Sequence, residues 1–207
     1  MYDVDLFETP ASVVDQLHAQ GRIAICYMSA GSWEEYRPDA GDFPNSVKGN
    51  SNGWPGEKWL DIRRIDILAP IMEARMDLCA SKGFDGVETD LMDGYTNNTG
   101  FPLTAAHQLT YNKFLADAAH ARGLSIGLKN DVEQARELEP WFDWSINEEC
   151  AQYNECELLT PFITAGKAVF HAEYALDLNQ FCPTTTALGF SSIKKRLNLN
   201  AWRQPCP

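Results

Sequence analysis

The stretch Gly83-Phe84-Asp85-Gly86-Val87-Glu88-Thr89-Asp90 decides how this chain is read. Just upstream, Leu68, Ile71, Met72, Met76 and Cys79 recur at helical spacing, the apolar stripe of a helix that Gly83 stops. Gly86 to Asp90 then reads as a short strand carrying a β-branched valine and threonine. The same order of helix, glycine and strand returns along the chain. Val13, Val14 and Leu17 mark a helix that Gly21 ends, before a strand at Ile23–Met28. A helix from about Thr104 carries Tyr111, Phe114, Leu115 and Ala118; Gly123 ends it before Leu124–Leu128. Leu158, Leu159, Phe162 and Ile163 lead through Gly166 to Ala168–Ala172. Further strands are expected at Tyr2–Leu6, Phe142–Ile146 and Thr186–Phe190, and Asp131 is expected to cap a short helix.

Helix-and-strand units of roughly 40 residues predict a parallel α/β fold. No glycine-rich phosphate motif follows the first strand, which argues against a nucleotide-binding sheet and leaves a TIM-like (β/α)8 barrel. About seven strands are expected within one barrel domain, 1–207; the chain opens in a strand, so the missing first strand is expected before Met1. The segment Gly31–Lys58, rich in Gly, Pro, Asn and Trp, reads as an inserted binding loop. Trp33, Trp54 and Trp59 lie in or beside it and could stack on sugar faces; Trp141 and Trp144 are expected in the core.

The composition fits such a domain: 207 residues, 44% hydrophobic and 22% charged. No apolar run approaches the ~20 residues of a membrane span. The net charge of −12 has the wrong sign for a duplex-binding protein and suits a cationic partner. Six cysteines without a Cys-x-x-Cys pair, and four scattered histidines, point to disulfides rather than a zinc cage. The pairs Cys26–Cys79, Cys150–Cys156 and Cys182–Cys206 are expected, and with them an oxidising, extracellular compartment. No signal peptide is present in this chain.

A parallel barrel carries its chemistry at the C-terminal ends of its strands. Those ends hold Asp3 and Asp5; Tyr27; Glu88, Asp90 and Asp93; Lys129 and Asn130; Asn147, Glu148 and Glu149; His171, Glu173 and Tyr174. Period two puts Glu88 and Asp90 on one face of their strand. Paired carboxylates suit glycoside hydrolysis, one protonating the leaving oxygen while the other attacks or activates water; Asp90 and Glu148 are the pair expected to do so. A hard-cation site built from the same acids ranks behind hydrolysis, since no EF-hand loop is present. Lys129 could tune the acids or form a Schiff base, which makes a lyase or aldolase the alternative enzyme class.

At these residues the chain resembles glycoside hydrolase family 114, the endo-α-1,4-polygalactosaminidases. The matching stretches are Tyr-Asp-Val-Asp-Leu-Phe at 2–7, Cys-Tyr-Met-Ser-Ala-Gly-Ser-Trp-Glu at 26–34 and Trp-Leu-Asp-Ile-Arg at 59–63. They continue with the whole of 83–95, Leu-Lys-Asn at 128–130 and Asn-Glu-Glu-Cys at 147–150. The resemblance implies a secreted (β/α)8-barrel enzyme that cleaves α-1,4-linked galactosamine polymers such as biofilm galactosaminogalactan; a monomer without cofactor or metal is expected. It implies Asp90 as nucleophile and Glu148 as acid/base. Asp3, Asp5, Tyr27, Asp61, Arg63, Glu88, Asp93, Tyr95, Lys129, Glu149 and Glu173 would line the groove for a cationic amino-sugar polysaccharide. The family's Glu-Pro-Asp-Asn reads Glu88-Thr89-Asp90-Leu91 here, so the amide after the acid is replaced. A carbohydrate-binding or inactive barrel of the same family is the other alternative.

Overall fold

A computed structural model describes residues 1–207 as two compact units, Met1–Gly127 and Leu128–Pro207. The first unit runs β1 (Tyr2–Asp5), α1 (Ala11–Ala19), β2 (Ala24–Ser29), β3 (Ser32–Glu34), β4 (Lys48–Ser51), β5 (Glu57–Leu60), α2 (Ile65–Ser81), β6 (Gly86–Asp90) and α3 (Ala105–His120). The strand β7 (Ser125–Lys129) passes through the division.

β1 pairs in parallel with β2, and β2 in parallel with β6, Ile25 standing opposite Gly86. β2 and β6 are buried along nearly their whole length, as strands with both faces covered must be. The predicted stripe of α2, Leu68, Ile71, Met72, Met76 and Cys79, is buried in full. Cys26 and Cys79 form a disulfide that ties β2 to α2. Thr104 and His107 make a reciprocal capping box that starts α3 at the expected residue. At Gly86 a Cβ would stand 2.1 Å from Ser125 Oγ and 2.7 Å from the Ser125 carbonyl oxygen, so the close approach of this neighbour requires glycine.

The inserted segment is not the irregular loop expected. Its prolines and glycines mark turns between short strands, and β3, β5 and β4 form an antiparallel sheet with Ser32 opposite Trp59. Trp59 is 6% exposed and belongs to the core. The Trp33 indole N–H donates to the Ala40 carbonyl, and the Lys48 ammonium lies 4.1 Å from its ring centroid. Of the three tryptophans offered for sugar stacking, Trp54 alone is widely exposed, at 56%.

The second unit continues with α4 (Ala135–Leu138), β8 (Trp144–Glu148), α5 (Cys150–Tyr153), α6 (Thr160–Thr164), β9 (Val169–Glu173), α7 (Leu178–Ala187), β10 (Ser191–Lys195) and β11 (Arg203–Pro205). β8 pairs in parallel with β9, and β9 with β10. β11, which carries no apolar signal, adds antiparallel to β10. The strand expected at Thr186–Phe190 lies at Ser191–Lys195 instead. Its β-branched Thr186 belongs to α7, which an Asp177–Gln180 capping box begins and Gly189, at φ +82°, follows. Asp131 precedes a short 3₁₀ turn at φ +42°, and its side chain makes no capping bond. Trp144 is buried, edge-on to Phe170 at 5.9 Å, as expected of a core tryptophan, while Trp141 is half-buried. Cys150–Cys156 and Cys182–Cys206 are bridged, completing the expected pairing. No helix is long and apolar enough to cross a membrane.

Several strands end one or two residues later than their sequence pattern indicates. Ser29, Lys129, Glu148 and Glu173 are therefore the last residues of β2, β7, β8 and β9, while β6 ends at Asp90 as expected. The apolar run ends where the chain turns polar, but the ladder carries the first polar residue along.

Candidate active site

In the first unit the site forms around Asp90. Its Oδ2 accepts the Tyr27 hydroxyl at 2.8 Å and its Oδ1 the Leu91 amide at 2.9 Å. Its carbonyl accepts the amides of Ala30 and Gly31, both at 3.0 Å. Leu91 takes φ +62°, a left-handed conformation that the replaced asparagine would tolerate better than leucine. Glu88 is buried opposite Tyr27 in the β2–β6 register, two residues before Asp90 on the same face. Asp3 is half-buried on β1, opposite Ile25. Asp93 and Tyr95, also half-buried, lead into a 3₁₀ turn over Gly94–Thr96.

Two other predicted groove acids are engaged by arginines. Asp5 holds Arg37 at 2.6 Å and accepts the amides of Phe7 and Glu8. Arg37 also reaches Glu34 at 2.9 Å. Burial works against the Arg37 charge, yet its hydrogen bonds and the charges of Glu34 and Asp5 hold it well above the usual arginine value. Asp61 is buried and takes Arg63 in a bidentate pair, both contacts at 2.7 Å. That guanidinium lies 5.9 Å from the Phe101 ring centroid.

In the second unit the site forms around Glu148. Tyr174 donates its hydroxyl to Glu148 Oε1, and the buried Lys129 ammonium lies 3.5 Å from Oε2. Asn130 Oδ1 accepts the Glu148 amide at 2.9 Å and the Asn147 side-chain amide at 3.2 Å. Asn147 Oδ1 in turn accepts the Cys150 amide at 3.0 Å. These two amides fix the backbone on both sides of Glu148. Glu173 is fully buried: one oxygen accepts the amides of Ala151 and Gln152 and lies 3.1 Å from His171 Nε2. It supports the turn after β8 and presents no surface to a ligand. Glu149 takes φ +63° at the head of α5. Burial, then the charges of Glu173 and Glu148, raises its carboxyl above the ordinary glutamate value.

Tyr174 and Asn130 carry more of this arrangement than their place in the sequence indicated. The available signal was position, each one residue past the end of a strand. Cys150, Cys156 and His171 bring ligand atoms within 4.8 Å of one another, but the disulfide consumes both sulfurs and leaves no thiolate for a metal.

An uncharacterized protein of Deinococcus radiodurans is 32% identical over 198 residues; the match covers 84% of this chain, which spans 63% of that relative's length. The crystal structure of Aspergillus fumigatus Ega3 in complex with galactosamine superposes with a TM-score of 0.94 at 42% identity, over 99% of this chain and 87% of Ega3. The glycoside hydrolase domain of PelA from Pseudomonas aeruginosa superposes at 0.73 with 13% identity, over 98% of this chain and 89% of that domain, and bears on the fold alone. The strand-and-helix alternation is that of the (β/α)8 class. The profile of glycoside-hydrolase family GH114 matches residues 1–207, and the chain belongs to that family.

Proposed function

We propose that this protein is an endo-acting hydrolase of α-1,4-linked galactosamine polymers, with Asp90 and Glu148 as its catalytic carboxylates. The observation that carries the substrate class is the 42% identity to a protein crystallised with galactosamine. The acids carry the chemistry. Both Asp90 oxygens act as acceptors, from Tyr27 and Leu91, the pattern of a carboxylate aimed as a nucleophile. Asp90 attacks the anomeric carbon while Glu148 gives its proton to the glycosidic oxygen, so the glycosidic bond breaks and a glycosyl ester forms. The Lys129 ammonium and Tyr174 hydroxyl receive the carboxylate that Glu148 becomes. Glu148 then takes a proton from water, which displaces the sugar from Asp90.

The −12 charge supports a polymer that bears ammonium groups, and hydrolysis is expected to weaken with salt. Three disulfides support secretion. The test is release of oligosaccharides from partly deacetylated galactosaminogalactan, with chitosan and neutral α-galactan as controls. Asp90→Asn and Glu148→Gln are expected to abolish release while sparing polymer binding. Retained activity in both would refute the assignment; binding by the wild type without new reducing ends would make the protein a carbohydrate-binding member of the family. The anomer formed first, read by proton NMR, decides between retention by Asp90 as nucleophile and inversion by Asp90 as base.

A further inference from the structure

We propose that Tyr111 and Asn112, on the buried face of α3, are positioning residues for Asp90. The proposal rests on reading Asp90 as a catalytic carboxylate. The backbone around Asp90 is gripped by the segment after β2, because the Ala30 and Gly31 amides both donate to the Asp90 carbonyl. The two segments lie so close that a Cβ on Gly31 would stand 1.8 Å from the Leu91 carbonyl oxygen. Leu91 is held at φ +62° between Asp90 and Met92. Neither segment is part of a regular ladder, so its outward carbonyls need partners from elsewhere.

Helix α3 supplies them. Gln108, Tyr111 and Asn112 stand at positions i, i+3 and i+4, and all three are fully buried. The Tyr111 hydroxyl donates to the Ala30 carbonyl at 2.8 Å. Asn112 Nδ2 donates to the Met92 carbonyl at 3.0 Å, and Gln108 Nε2 donates to Asn112 Oδ1 at 2.8 Å. One helix face thus holds the β2 segment by one carbonyl and the β6 segment by another, with Asp90 between them. Burial pushes the Tyr111 hydroxyl up, so it stays a donor across the working pH range. Apolar side chains would fill the same space but leave the Ala30 and Met92 carbonyls without these donors. What the polar set adds is a defined position for the two segments, and hence a fixed aim for the carboxylate.

A purely structural role predicts lost stability with unchanged kinetics; a positioning role predicts a kinetic defect. Tyr111→Phe removes one oxygen, and Asn112→Leu removes the amide. Thr185→Val is the matched control: the buried Thr185 hydroxyl bonds the Phe181 carbonyl within α7. Well below the melting temperatures, kcat on the galactosamine polymer is expected to fall about tenfold to a hundredfold in the α3 variants, with KM within about twofold. The acid limb of their pH–rate profile is expected to shift, and amide exchange at Ala30, Gly31 and Leu91 to quicken. Thr185→Val is expected to lower the melting temperature and leave kcat unchanged. If Asn112→Leu fails to fold, Tyr111→Phe decides alone. A kcat within about twofold of wild type, or unchanged exchange at those amides, overturns the proposal. A wild type inactive on every galactosamine polymer instead defeats the hydrolase reading, and the exchange rates, which need no substrate, tell the two failures apart.

Discussion

Tyr27, on β2, places its hydroxyl 2.8 Å from Asp90 Oδ2 on the adjacent β6. The two are 63 positions apart in sequence and two apart in register, Tyr27 facing Glu88 and Ser29 facing Asp90. Removing a hydrogen bond to a charged group costs about 1.5–3 kcal/mol. If the bond is kept or strengthened in the transition state, Tyr27→Phe is expected to lower kcat/KM about tenfold to a hundredfold. Steady-state kinetics on the polymer check this, and an unchanged kcat/KM would remove Tyr27 from the site.

Gly31 is required by space: an alanine Cβ would meet the Leu91 carbonyl oxygen at 1.8 Å. Backbone cannot give way as a flexible side chain does, so Gly31→Ala is expected to cost about 1–3 kcal/mol. Urea unfolding measures the loss, and a wild-type midpoint would show that the two segments separate freely.

Lys129 and Tyr174 converge on Glu148. Lys129→Met leaves the carboxylate without its ammonium, and Tyr174→Phe without its hydroxyl donor. Each is expected to lower kcat at least about tenfold, since a charge is left without the partner that received it. Borohydride treatment with an aldehyde substrate is expected to leave no adduct on Lys129; a trapped adduct would favour Schiff-base chemistry instead.

Glu149 gives stability a pH dependence with a definite sign. The folded state holds its carboxyl above the ordinary 4.5, burial first and the charges of Glu173 and Glu148 next. The folded chain thus binds this proton more tightly than the unfolded one. That contribution is complete below pH 4.5 and is lost as pH rises through the folded value. Glu149→Gln carries no charge, so it is expected to melt higher than wild type at neutral pH. The gap closes as pH falls below 4.5, and melting curves across pH 4–8 check it. A gap that does not depend on pH would assign the effect to packing.

Cys26–Cys79 bridges residues 53 apart, against 24 for Cys182–Cys206 and 6 for Cys150–Cys156. Loop-closure entropy then ranks it first, at about 4 kcal/mol. Replacing both of its cysteines by alanine is expected to lower stability more than replacing either other pair. Chemical denaturation of the three double variants tests that order.

The sequence by itself determined the alternation of the main helices and parallel strands, their glycine stops and the acids at strand ends. These are local signals: a helical stripe, a glycine able to take positive φ and a polar residue closing an apolar run are read within a few positions. Even Trp59 and the β3–β5–β4 sheet left only turn residues as a signal, because strands of three or four residues show too little alternation to read. Only the tertiary structure decided which partner each of these acids meets. Asp5 answers to Arg37, Asp61 to Arg63 and Glu173 to His171 and two backbone amides, whereas Asp90 ends its strand held by Tyr27, and Glu148 by Tyr174 and the Lys129 ammonium. Likewise Tyr111 reads as one more apolar position of α3 until its hydroxyl is seen on Ala30, 81 residues away. A side chain's identity is local, but its partner is chosen by the fold, and the partner decides whether a carboxylate is a brace or a reagent.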